Sequence, residues 1–197
     1  MKFLSPSSAR NIFSIITGAI FLCAPALYNY FPFIYADTGS YLVSGFEHQP
    51  SVIRAMTYGL FVRHICLMES LWLVILVQAL FVSWMIHAFM RHFFEKYKPI
   101  YALAGIAFLS MTTSIGICTG MLMPDFLAPL MILSFIILVL SPKKDTFSFS
   151  VCYIFIWLSL ACHHSHAYIF LIMLILLSAV VLLFRKSEFS ILKKNDL

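Results

Sequence analysis

Eight acidic residues are spread over 197 positions, and two of them stand where a carboxylate is costly. Asp37 follows the first apolar run, in Tyr35-Ala36-Asp37-Thr38-Gly39-Ser40-Tyr41, and Asp125 precedes the fourth, in Met123-Pro124-Asp125. Beside hydrocarbon a carboxylate has to be paired, bind a metal or face a wet cavity, so each is a candidate for proton transfer or metal binding. The competing account is helix capping, in which a carboxylate at a first turn stabilises it by about 0.3–1 kcal/mol and does no chemistry.

Three histidines, His163, His164 and His166, fall within four residues where the fifth apolar run ends. His163 and His166 are spaced to share a helix face, where they could hold a divalent metal or a phosphate, or pass a proton; histidines also serve simply at helix C-termini. A metal would need a further ligand, which Asp37 or Asp125 could supply. Arg54 and Arg63 have the chemistry to grip a phosphate through paired hydrogen bonds, or to snorkel toward lipid head groups. Gln78, Ser83 and His87 follow helical spacing within an apolar run and read as interhelical hydrogen-bonding groups. Five cysteines show no CxxC spacing and read as packing residues.

These residues sit in a chain that is 62% hydrophobic and 11% charged, too little polar surface to cover a soluble globule. The expected fold is all-α, a single polytopic transmembrane bundle of about six spans. A hydrocarbon core of about 30 Å takes roughly 20 apolar residues per helix, and 197 residues hold about six such spans with short loops. The apolar segments are 11–31, 71–90, 100–118, 126–140, 147–162 and 167–184, with a long semi-polar connection over 35–70. Lys2 and Arg10 before the first segment resemble a signal peptide, but Pro25 and the aromatic run that follows fit an uncleaved anchor better. In the long connection Pro50 suits a helix start, and Val52, Ile53, Met56, Leu60 and Phe61 recur near helical spacing. A helix lying at the membrane surface and carrying Arg54 and Arg63 is expected there. Asp37-Thr38-Gly39-Ser40 reads as a turn-like or capping stretch by which the chain leaves the first span and starts such a helix.

The net charge of +5 is a matter of topology and not of nucleic acid, because the basic residues sit between apolar runs and form no aromatic-interleaved patch. Eleven of the thirteen fall on one side of an even number of spans; only Arg54 and Arg63 fall on the other. The positive-inside rule then predicts both termini in the cytoplasm and places Asp37, Asp125 and the histidines outside. The expected location is a bacterial inner (cytoplasmic) membrane.

This order of features resembles the first half of the GT-C superfamily, the polytopic glycosyltransferases that use lipid-phosphate-linked sugars, among them protein mannosyltransferases, oligosaccharyltransferases and lipid A aminoarabinose transferases. The likeness rests on a cytoplasmic N-terminus, one span, a long first outward loop with surface helices, an acidic residue just after the first span (Asp37) and a second in the next outward loop (Asp125). It implies that Asp37 is a general base or metal-linked carboxylate and that Asp125 assists it or binds metal. Arg54, Arg63, His163, His164 and His166 would then meet the donor phosphate. The implied donor is a polyprenyl-phosphate-linked sugar, the implied cofactor a divalent metal ion held by Asp37, Asp125, His163 and His166, and the chain a minimal or truncated form. Two other readings compete: an accessory subunit whose outward loop contacts a partner membrane protein, and a transporter fragment, which should place polar residues near mid-membrane in interrupted helices.

Overall fold

The computed structural model describes residues 6–49 and 54–195, with side chains over 9–49 and 54–183. Every regular element among them is helical: α1 Pro6–Tyr28, α2 Thr38–Phe46, α3 Met56–Cys66, α4 Trp72–Phe93, α5 Pro99–Thr112, α6 Ile115–Thr119, a 3-10 turn Pro124–Phe126, α7 Leu127–Leu140, α8 Thr146–Cys162 and α9 His164–Asn195. One isolated parallel bridge joins Phe33 to Met121.

Among the described residues three segments are long and apolar enough to cross a membrane: Ala9–Tyr28 in α1, Trp72–Phe93 (α4) and His164–Leu183 in α9. At 1.5 Å per residue, 20 residues span about 30 Å, the thickness of a hydrocarbon core. The chain is thus all-helical over its described residues and, by these three helices, membrane-associated. α5, α7 and α8 are apolar but shorter, with 14, 14 and 17 residues.

The chain divides after His163 into two compact units. In the first, α1 packs against α4, α5 and α6, α7 packs against α8 and α4, and α2 packs against α3. Side-chain hydrogen bonds define its two ends. At one, the Ser14 hydroxyl of α1 lies between His87 Nε2 of α4 (2.8 Å) and the Pro99 carbonyl that opens α5 (3.0 Å). Arg91 at the end of α4 pairs with Asp145 at 2.9 Å, and Lys143 Nζ donates to the Arg91 and Phe94 carbonyls. This end therefore gathers the basic loops. At the other end, Gln78 near the start of α4 donates to the carbonyls of Thr119 (2.7 Å) and Met121 (2.9 Å), and Ser159 near the end of α8 donates to the Leu127 carbonyl that opens α7. Midway, Ser83 donates to the Ile15 carbonyl at 2.8 Å. Gln78, Ser83 and His87 thus make the interhelical bonds their spacing predicts. The second unit is α9 alone, apolar on all sides through residue 183, the pattern of a helix that meets lipid.

Several expected boundaries are corrected. The segment 100–118 is two helices, because Thr113 is extended and caps α5 before Ser114 starts the turn into α6. The connection over 35–70 holds two helices, of which α2 starts at the expected Asp37-Thr38-Gly39-Ser40 stretch; the expected start at Pro50 falls in residues 50–53, which lie outside the described residues. α3 begins at Met56, where its buried face Tyr58, Gly59, Val62 and Cys66 begins, so Arg54 precedes the helix and only Arg63 lies on it. The histidine cluster is not a loop. His163 alone, extended at φ −150 and ψ 126, separates α8 from α9, so His163 and His166 do not share a helix face.

Candidate functional site

The end of the first unit away from the basic loops is assembled from three stretches: residues 29–37 after α1, the α2–α3 pair, and residues 119–126. Backbone bonds tie the first stretch to the third: Phe33 N–H donates to the Gly120 carbonyl and Leu122 N–H to the Phe33 carbonyl, each at 2.9 Å. Thr38 extends the tie. Its buried hydroxyl accepts from Tyr35 N–H at 2.9 Å and donates to the Leu122 carbonyl at 3.1 Å. The loops carrying Asp37 and Asp125 are therefore held together by the main chain, with Asp37 one residue before Thr38 and Asp125 three after Leu122.

α2 and α3 cross with their backbones in contact. A Cβ added at Gly45 would stand 2.2 Å from the Gly59 carbonyl oxygen, and one at Gly59 would stand 2.2 Å from that of Tyr41. Only glycine fits at either position. The crossing sets the Tyr41 ring edge-on to Tyr58, centroids 5.1 Å apart, and Phe61 continues the series to Phe126, the residue after Asp125. The Tyr58 hydroxyl donates to Gln78 Oε1 at 2.8 Å. Through Gln78 the α2–α3 pair is fastened to α4 and to the Thr119–Met121 segment.

Asp37 occupies the N-cap position of α2 but makes no side-chain cap hydrogen bond. Its carboxylate pairs instead with Arg54, Nη2 to Oδ2 at 2.5 Å, with about a quarter of each side chain exposed. Capping does not account for this residue; an ion pair across the α2–α3 connection does. Asp125 is exposed in the first turn before α7. Tyr41 is the point on which these charges converge: it is 1% exposed, and its hydroxyl has no hydrogen-bond partner. Burial pushes its phenol up to about 12; the Arg54 charge opposes the shift, and those of Asp125 and Asp37 add to it. Burial also pushes the Tyr58 phenol well above its ordinary range. Both phenols are therefore neutral donors near neutral pH.

The remaining predicted residues divide. Arg63 is turned to the far end of α2, where its guanidinium donates to the Gly45 carbonyl at 3.4 Å and meets the His48 ring. His163 is half-buried and extended at the end of α8, one residue after the buried Cys162. His164 and His166 open α9 and belong to the second unit. Among the described residues no group of three or more His, Cys, Asp or Glu side chains is placed to hold a metal ion. With Arg54 already neutralising Asp37, the residues fit an ion-paired carboxylate and not a divalent-metal centre.

Sequence reasoning missed Tyr41, although it stands four residues after Asp37, the spacing at which an N-cap residue and the first full helical turn meet. What it can do chemically follows from its surroundings. Its hydroxyl is a buried donor without an acceptor, within electrostatic reach of one guanidinium and two carboxylates, and a ligand oxygen would satisfy it only on an opening of the site. Compared with models of known protein families, with curated proteins and with solved structures, the chain matches none.

Proposed function

We propose that this chain is a polytopic membrane glycosyltransferase-like protein of the GT-C type, minimal or truncated in form. It would transfer a sugar from a polyprenyl-phosphate donor at the extracytoplasmic face of the cytoplasmic membrane. The single observation that carries the reading is the meeting of Asp37, Arg54 and Tyr41 on main-chain-tethered loops, with the Asp125 charge in reach, at the end of the first unit opposite Arg91 and Lys143. In this reading α5, α7 and α8 complete six crossings, and the eleven-to-two division of basic residues keeps both termini in the cytoplasm.

The chemistry runs on a change of partners. The donor phosphate draws the Arg54 guanidinium from Asp37, since a paired guanidinium–phosphate contact is at least as favourable as its contact with a carboxylate. Asp37, now unpaired, takes the proton of the acceptor hydroxyl as that oxygen bonds to the anomeric carbon. The bond from that carbon to the phosphate oxygen breaks, and polyprenyl phosphate leaves with its new charge against Arg54. Tyr41 donates its hydrogen bond to a sugar or phosphate oxygen. Asp125 assists by orienting the acceptor, and Arg63 and His163, both of the first unit, bind the outer part of the donor.

A second reading has one observation in its favour. Because Asp37 is already ion-paired, the Asp37–Arg54 contact would equally serve as a clasp in a non-catalytic accessory subunit that docks to a larger membrane enzyme. The two separate in one experiment, turnover of polyprenyl-phosphate-sugar by the reconstituted chain and its Asp37→Asn variant at equal membrane abundance. Catalysis requires turnover by the parent and its loss in the variant. Equal turnover in both would remove Asp37 from the mechanism, and none in either would leave the accessory reading.

A further inference from the structure

The opposite end of the first unit holds a cavity of about 580 Å³ between the N-terminal turns of α1 and α5. Its rim carries Arg10 and Lys98, both exposed, together with the Tyr97 phenol, and its walls are Phe13, Ile100 and Leu103. None of these residues belongs to the Asp37 site. A cavity with cations at the lip and hydrocarbon inside fits a ligand that is anionic at one end and apolar at the other.

The surface below the cavity identifies the apolar part. On α1, Phe13, Ile16 and Ile20 are exposed and recur at helical spacing along one face; on α5, Ile100, Phe108 and Met111 do the same. Two exposed apolar tracks therefore lead away from the rim along adjacent, packed helices. A small soluble anion would use the cations but not the tracks. An acyl chain uses both. Basic pockets between membrane helices are where acidic lipid head groups bind.

We infer that the α1–α5 cavity is a binding site for an anionic phospholipid, with Arg10 and Lys98 on the phosphate and the acyl chains along Phe13 and Ile100. The inference does not rest on the glycosyltransferase reading, since it concerns the other end of the bundle. Occupancy would brace the N-terminal turn of α1 against α5 and stabilise the first unit.

The test is native mass spectrometry of the full chain in detergent, titrated with phosphatidylglycerol, phosphatidylcholine and inorganic phosphate. Saturable binding of phosphatidylglycerol is expected, with weaker phosphatidylcholine binding and no displacement by phosphate. Each rim cation near a lipid surface is worth roughly fivefold, so the Arg10→Gln/Lys98→Gln double variant should bind phosphatidylglycerol at least about tenfold more weakly, while Lys144→Gln, an exposed basic residue outside the cavity, leaves binding unchanged. Leu103→Trp fills the cavity with the charges intact and should also abolish binding. Parental affinity in the double variant or in Leu103→Trp would overturn the site. So would equal loss in Lys144→Gln, equal affinity for phosphatidylcholine, or displacement by phosphate alone.

Discussion

Replacing Tyr41 by phenylalanine separates a structural phenol from a working one. Its hydroxyl is buried without a partner, and an unsatisfied buried polar group costs about 1–3 kcal/mol. Tyr41→Phe should therefore leave the thermal unfolding midpoint in detergent unchanged or raised, while lowering donor turnover; a clear loss of stability would mean that the hydroxyl has a structural partner. Asp145 makes a prediction of opposite kind. The hydrogen bond donated by Ser148 (2.7 Å), with help from Arg91, holds its carboxyl below the usual carboxylate range. A depressed folded-state value stabilises the fold above the ordinary value of 3.8, and that contribution is lost as pH falls through the lower one. Because the Arg91 and Asp145 side chains are both more than a third exposed, the effect is small. Asp145→Asn should cost about 1 kcal/mol or less at neutral pH and nothing in strong acid, measured by unfolding midpoint against pH.

Among the elements, the α2–α3 crossing bears most directly on the site. Gly59→Ala would push a methyl group into the Tyr41 carbonyl, and overpacking of this kind costs about 1–3 kcal/mol. Its expected signature is destabilisation together with loss of the Asp37–Arg54 pairing, whereas Gly39→Ala, where a Cβ meets nothing, should be silent; equal stability of the two variants would mean that the helices do not touch there. Little of this crossing is legible in the sequence. Apolar periodicity finds the apolar helices, three of them long enough to cross a membrane among the described residues, and the presence of helix between 35 and 70, but two glycines fourteen residues apart do not announce a backbone contact, and Pro50 draws the eye to a start that α3 does not use. The Asp37 motif is legible as a candidate. Its partner is not, because an ion pair across a turn depends on the path of the turn. The same limit hides Tyr41: its chemistry comes from neighbours brought in by the Phe33–Met121 bridge and the Gln78 bonds. The break at Thr113, by contrast, is marked by the Thr-Thr-Ser run over 112–114, residues that favour turns through their side-chain hydrogen bonds.

At the scale of the molecule, the two ends of the first unit differ in the charged groups they carry. Arg91, Lys143 and the lipid-binding cavity lie at one, and the Asp37–Arg54 pair with Tyr41 at the other. That polarity has consequences only if a membrane separates the ends. The most direct measurement is labelling of single cysteines in intact cells with a membrane-impermeant thiol reagent, one introduced at Gly39 and one at Lys144, with the exposed Cys118 replaced by serine and the four buried cysteines retained. Both new positions are exposed, and Gly39 has room for a side chain. The account predicts labelling at position 39 in intact cells and at position 144 only after permeabilisation. Labelling of both from the same side would contradict it.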